Sequence, residues 1–324
     1  MEVLVNLANS PQQKQWFNEN EQEVEAFLNQ HKLSGIELIF YGNHQTNPFP
    51  LKRIKGLHLN YWPTWLDFWR EDKAELLRQF GSRENIEQYY GGLQPKVMID
   101  HYRREVQKAR ELRIEYLVFH VSHVQMEHIY SHAFTYSDWE IMEATSQLIN
   151  QVFQGITTGP LLLFENLWWP GLNFLNQELT ARFFNSINYP HKGFMLDTGH
   201  LMLTNPQLKG AKDACKYILE KVEQLGEMKQ HIKGIHLNKS SLGSYVCNGQ
   251  SQQMKEGQSM DLWENYMEIG KNILRMDSHL PFNDPRIKKV IDAINPEYLV
   301  FELRASSLTK LGKLLAVQNR ALYR

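Results

Sequence analysis

The sequence predicts a closed (β/α)8 barrel, the TIM-barrel class, with eight parallel strands. Eight short apolar runs alternate with longer segments of helical period, which argues for a parallel sheet covered by helices. The 324 residues, 42% of them hydrophobic, can build one large barrel or two ordinary domains. No low-complexity linker divides them, so a single domain over 1–324 is expected. No Gly-rich phosphate fingerprint follows the first run, which counts against an open dinucleotide-binding sheet.

The elements follow in order. Strands are predicted at 2–7 (EVLVNL), 35–40 (GIELIF), 55–59 (KGLHL), 114–121 (IEYLVFHV), 159–166 (GPLLLFEN), 193–197 (GFMLD), 232–238 (IKGIHLN) and 297–303 (EYLVFEL). A polar helix follows the first strand to about His31. Val97, Met98, Tyr102, Val106 and Ala109 then mark one face of a helix over 95–112. Further helices are expected over 138–154, from about 175 (Leu175, Leu179, Phe183, Ile187), over 209–226 (Ala211, Cys215, Ile218, Val222, Leu225) and at the end (Leu308, Leu311, Leu314, Leu315). Thr198-Gly199 reads as a turn. Gly35-Ile36, Gly56-Leu57, Gly193-Phe194 and Gly234-Ile235 open four strands alike, as a weak internal repeat or as shared turn chemistry. Long connections follow strands 3 and 7: an aromatic-rich one over 60–93 and a polar one over 239–283. Loops of this length are usually functional covers or insertions.

Composition narrows the function classes. A net charge of −1 provides no overall field for polyanions, so nucleic acid is not the favoured partner. Cys215 and Cys247 are the only cysteines, which excludes a disulfide framework and a Cys-rich metal site. No apolar stretch approaches the ~18 residues of a membrane span, and the N-terminus lacks the pattern of a signal peptide. A cytoplasmic protein without an obligate protein partner is expected.

Active sites of this class sit where the strands end. Six of the eight strands end in His, Asp or Glu: His58, His120, Glu165, Asp197, His236 and Glu302, with His200 just beyond Asp197. Taken singly, each has an ordinary reading. A strand His is commonly a hydrogen-bonded core or rim residue, and a strand-end carboxylate commonly caps the next helix. Together they do not, because several carboxylates facing one barrel mouth repel unless cations neutralise them. A mixed His/Asp/Glu set suits Zn, Mn or Fe better than Mg or Ca. His123, His128 and His132 read as loop residues, with His123 a substitute for His120 as ligand.

The segments LLLFEN, LDTGH, IHLN and LVFEL resemble the xylose-isomerase-like barrel superfamily, from the second strand to the last. That group includes sugar isomerases and epimerases and the endonuclease IV (AP endonuclease family 2) enzymes. The sugar-isomerising branch implies one metal on Glu165, Asp197, His236 and Glu302, with His200 facing substrate. Glu165 and Glu302 would be its catalytic acid/base pair. The endonuclease IV branch implies three zinc ions. His58, His120 and Glu165 would hold the first. Glu165 would bridge to a second on Asp197, His236 and Glu302. His200 would hold the third with an Asp-x-His pair, which RMDSHLPF supplies as Asp277 and His279. All nine positions carry the expected residue type in the expected order, which favours the trinuclear, phosphoester-cleaving branch.

The departures fall in substrate-facing loops. Asn238-Lys239-Ser240 stands where the endonucleases have Asn-Asp-Ser, LWWPG where they have a Gly-rich stretch, and Val121-Ser122 where they have Pro-Gly. Tyr61, Trp62, Trp168 and Trp169 either stack on a flat ligand or pack the rim, and Asn238 and Lys239 are further candidate substrate contacts. The resemblance thus implies a zinc-dependent phosphodiesterase with two or three ions, or Mn in their place. A small or medium organic phosphodiester, a cobamide for example, is favoured over abasic DNA. A single-metal sugar isomerase or epimerase and a catalytically silent binding barrel are the alternatives.

Overall fold

A computed structural model describes residues 1–39, 49–241 and 262–323. Eight parallel strands close into a barrel in sequence order. They are β1 (Glu2–Ala8), β2 (Gly35–Ile39), β3 (Ile54–His58), β4 (Tyr116–His120), β5 (Leu161–Glu165), β6 (Lys192–Asp197), β7 (Ile232–His236) and β8 (Tyr298–Phe301). The predicted end of the second strand at Phe40, Cys247 and the middle of the 239–283 connection lie outside the described residues.

Two-residue alternation divides each strand between two cores. Leu4, Tyr116, Val118, Leu163, Met195, Tyr298 and Val300 fill the barrel interior. The other parity, including Leu117, Phe119, Leu162, Phe164, Phe194, Leu196 and Ile235, packs against the surrounding helices. Gly56 and Gly234 lie on the interior parity for reasons of space. A Cβ on Gly56 would come within 2.1 Å of the Tyr116 ring, and one on Gly234 within 2.6 Å of the Met195 thioether. At these two positions the Gly-apolar pattern is therefore room for a large neighbour, not turn chemistry.

The amphipathic segments form helices Lys96–Glu111, Asp138–Val152, Gln177–Ser186, Ala211–Gln224 and Leu308–Tyr323. Leu175 lies outside the third of these and is exposed. The first polar helix is two helices, Pro11–Trp16 and Glu21–Gln30, and a helix Ile287–Ile294, not expected from the sequence, precedes β8. The expected turn at Thr198-Gly199 is instead the start of a short helix, Thr198–Leu203, because Asp197 caps it through a 2.6 Å bond from the His200 amide.

Both long connections carry helices. The first contains Leu66–Trp69, Lys73–Phe80 and Arg83–Tyr90; the second contains Leu262–Met276. That last helix forms a roof over the loops after β4 and β5. Ile269 and Ile273 pack with Val124, Ile129, Leu167 and Trp169 from the loops after β4 and β5. On the same face, nearer its start, the helix reaches the first connection, where the Tyr266 and Tyr89 hydroxyls lie 3.0 Å apart. No helix among the described residues is long and apolar enough to cross a membrane.

Candidate metal centre

The strand register delivers the polar residues to one level. His120 pairs with Glu165 and Asp197 with His236 across neighbouring strands. Inward parity then turns these side chains into the mouth, where Glu165, Asp197 and His236 are fully buried. Among the described residues four groups of potential ligand atoms lie within 4.8 Å, and three of them are built from the residues at and beyond the strand ends: His58, His120 and Glu165; Glu165, Asp197, His236 and Glu302; and His200, Asp277 and His279. Glu165 belongs to two of them. Its Oε2 lies 3.2 Å from Nε2 of both His58 and His120, and its Oε1 lies 3.3 Å from Nδ1 of His236. His200 Nε2 lies 3.4 Å from Asp277 Oδ2, which also lies 2.8 Å from His279 Nε2.

Three of the five histidines have one nitrogen on an acceptor outside these three groups, although His200 Nδ1 also lies 3.2 Å from Glu165 Oε1. His200 donates Nδ1–H to the Asn166 carbonyl at 2.9 Å, His58 directs Nδ1 at the Leu59 carbonyl at 3.4 Å, and His236 donates Nε2–H to Glu37 at 3.0 Å. Ligating histidines are commonly fixed in this way, one nitrogen on an outer acceptor and the other facing the ion. Glu165 Oε1 and His236 Nδ1 are buried without a hydrogen-bond partner. Such orphaned atoms, facing each other across a set of mixed His and carboxylate donors, fit a bound cation.

Electrostatics supports the same fit. Burial works against charge throughout the cluster, and neighbours decide the outcome. Burial, opposed by His200 and aided by Glu302, Glu165 and Asp277, pushes Asp197 up to about 7. Despite burial, His120 and His236 hold Glu165 well below the carboxylate range, and His279 and His200 do the same for Asp277. Despite burial, Asp277 and Glu302 raise His279 to about 9, while Glu37 and Glu165 raise His236 well above its ordinary value. Without metal, protons on imidazoles balance the carboxylates; divalent cations would take their place.

The loops build the cluster's outer support. Asn238 is fully buried and its amide donates to Asp197 Oδ2 at 2.6 Å and to Glu302 Oε2 at 3.4 Å. Ser240 donates to Asp277 Oδ1 at 2.8 Å. Lys239, between them, is bridged by its backbone to Leu280, which pins the segment carrying Asp277 and His279. Gly199 permits this approach, since a Cβ there would come within 1.9 Å of Asn238 Oδ1.

The four candidate aromatics divide. Tyr61 packs on His120 with ring centres 4.6 Å apart, and Trp168 on His200 at 5.2 Å. Trp169 is buried in the roof contact, and Trp62 is turned to His101 and Tyr102 with its indole N–H on the Tyr89 carbonyl. His123 lies outside the ligand groups. Its Nδ1 accepts the backbone N–H groups of Trp65 and Leu66, so it anchors a loop and does not substitute for His120. His128 bonds Tyr136 at 3.0 Å.

Glu37, Asn166 and Ser240 join the site without having stood out in the sequence. Glu37 was legible as a carboxylate inside the apolar run GIELI, but it lies within the strand and not at the strand end where ligands of this class are expected.

A family profile described as xylose isomerase-like TIM barrel matches residues 26–307. No curated protein matches the sequence. Among solved structures, endonuclease IV from Thermus thermophilus is 12% identical, with 99% of this chain and 98% of that chain covered and a TM-score of 0.53. A D-tagatose 3-epimerase-like protein is 14% identical over 99% of both chains, with a TM-score of 0.51. A sugar phosphate isomerase/epimerase from Parabacteroides distasonis is 13% identical over 99% of this chain and 96% of that one, with a TM-score of 0.51. At such identities the likeness is one of fold.

Proposed function

The chain belongs to the xylose isomerase-like TIM-barrel family, and from its site we infer a metal-dependent phosphodiesterase that hydrolyses a small or medium organic phosphodiester at a multinuclear zinc site. Mn is the alternative ion. One observation carries the reading: His200, Asp277 and His279 form a ligand group of their own beside the four-residue group that a single-metal enzyme needs. His58, His120 and Glu165 would hold one ion, Glu165, Asp197, His236 and Glu302 a second, and His200, Asp277 and His279 a third. Bound there, the ions would supply Lewis acidity toward phosphate oxygens and a water nucleophile usable at neutral pH.

The chain's own residues do the rest. Asn238 and Ser240 hold the Asp197 and Asp277 carboxylates in place, so little reorganisation remains when substrate enters. Tyr61 and Trp168 wall the cluster with aromatic surface suited to a flat substituent on the phosphodiester, as in a cobamide. Ile269 and Ile273 of the Leu262–Met276 helix share one apolar cluster with Tyr61 and Trp168, which crowds the approach to the site and supports a small substrate over abasic DNA.

A second reading rests on the group Glu165, Asp197, His236 and Glu302, which suffices for a one-metal sugar isomerase or epimerase with Glu165 and Glu302 as acid/base pair. Elemental analysis separates the two. Two or three zinc ions per chain, with turnover of an aryl phosphodiester, is the expected result; a single Mn and no such turnover would leave the isomerase. In an Asp277→Ala/His279→Ala variant, one equivalent of zinc should disappear. Turnover should fall about 100-fold or more, since one metal's charge is worth several kcal/mol. Nicking of abasic duplex at low salt tests the DNA reading, and activity there would overturn the size argument.

A further inference from the structure

We propose that Glu37 is a positioning residue for this centre, holding His236 so that Nδ1 faces the metals; the proposal rests on the metal-centre reading above. Glu37 is fully buried within β2, beneath the ligand level. A carboxylate in such a place is costly unless donors surround it. Three do. Asn6 Nδ2 donates to Oε1 at 2.9 Å, while the Tyr116 hydroxyl and His236 Nε2 donate to Oε2 at 2.9 and 3.0 Å. Tyr116 is itself placed by the space that Gly56 leaves. The chain of contacts runs from the barrel interior to one ring nitrogen of a candidate ligand.

The consequence is chemical. A carboxylate can only accept from Nε2–H, so the Glu37 bond leaves His236 Nδ1 as the ligand atom, 3.3 Å from both Glu165 Oε1 and Glu302 Oε2. The same bond raises the basicity of that nitrogen. Glu37, His58 and His236 also lie close enough to form a ligand group themselves. The three donors already on Glu37 speak for the supporting role.

The test is a zinc titration against a chromophoric chelator, on the full chain, for wild type, Glu37→Gln, Glu37→Leu and Tyr116→Phe. Melting of each metal-free protein is measured alongside. Stoichiometry should stay at the wild-type value. Affinity for the His236-bound ion should fall about 10–100-fold in Glu37→Leu, less in Glu37→Gln, which keeps an acceptor, and least in Tyr116→Phe. Histidine 15N spectra of the zinc-loaded protein should show Nε2–H on His236 in wild type and in Glu37→Gln, and a loss of that signature in Glu37→Leu. If Glu37→Leu does not fold, Glu37→Gln and Tyr116→Phe carry the comparison. Unchanged affinity and tautomer would overturn the proposal, as would the loss of a whole zinc equivalent in Glu37→Gln, which would make Glu37 a ligand. A wild-type protein that takes up no zinc would fail the metal reading itself, and the wild-type titration alone decides that.

Discussion

Asp197 has three roles at one carboxyl group. Oδ1 caps the helix Thr198–Leu203, Oδ2 receives the Asn238 amide, and the group faces the candidate ligands. The pairing with Asn238 depends on Gly199, so LDTGH is a packing motif as well as a ligand motif. Asn238→Ala should keep the barrel intact and lower zinc affinity about 10–100-fold, read by chelator competition, because it removes an outer donor from two carboxylates. Unchanged affinity would reduce Asn238 to loop packing. At this scale the sequence was legible wherever a charge interrupted an apolar strand, since such a charge needs a reason. It was silent on neighbours: Tyr61 and Trp62 are adjacent, yet only the fold shows that Tyr61 meets His120 while Trp62 turns outward.

Among the elements, two of the three loops that depart from the resembled pattern touch each other. Ser122 bridges to Gly171, Leu172 donates to the Val121 carbonyl at 2.8 Å, and Ser122 donates to the Pro170 carbonyl. Val121-Ser122 and LWWPG are one paired structure, and the roof helix rests on it. Ile269 anchors that helix, and burying one such side chain is worth about 1.5–3 kcal/mol. Ile269→Asp should release the helix. Amide hydrogen exchange across Leu262–Met276 is expected to rise by about 10-fold or more, with the barrel's melting temperature little changed. Protection equal to wild type would mean that other contacts hold the roof. The sequence marked both long connections as covers or insertions, but it did not show the helices Lys73–Phe80 and Arg83–Tyr90 within the first. Each is two turns long, too short for a helical period to stand out.

For the whole molecule, the buried charges set a pH dependence. Asp197 at about 7 and His279 at about 9 both lie above their ordinary values of 3.8 and 6.5 in the metal-free protein. Each binds its proton more tightly folded than unfolded. The stability each contributes is full below the ordinary value and is lost as pH rises through the raised one. Glu165 and Asp277, held low, act oppositely and lose their contribution only as pH falls through their depressed values. The chelator-treated protein should therefore melt lower at about pH 9 than at about pH 6. Zinc should reverse the trend, because it displaces those protons and binds more tightly as pH rises. A metal-free melting temperature that climbs between those two pH values would show that the cluster does not hold the protons. The sequence by itself determined the barrel, its strand order and the ligand-type residues at the strand ends, because side-chain period and the cost of a buried charge are local properties. Only the tertiary structure decided which ring nitrogen faces the centre, which aromatics reach it, and that Glu37 supports it. Those facts depend on contacts between residues as far apart as Glu37 and His236, 199 positions along the chain. Spacing along the sequence carries no record of such a contact until the barrel closes.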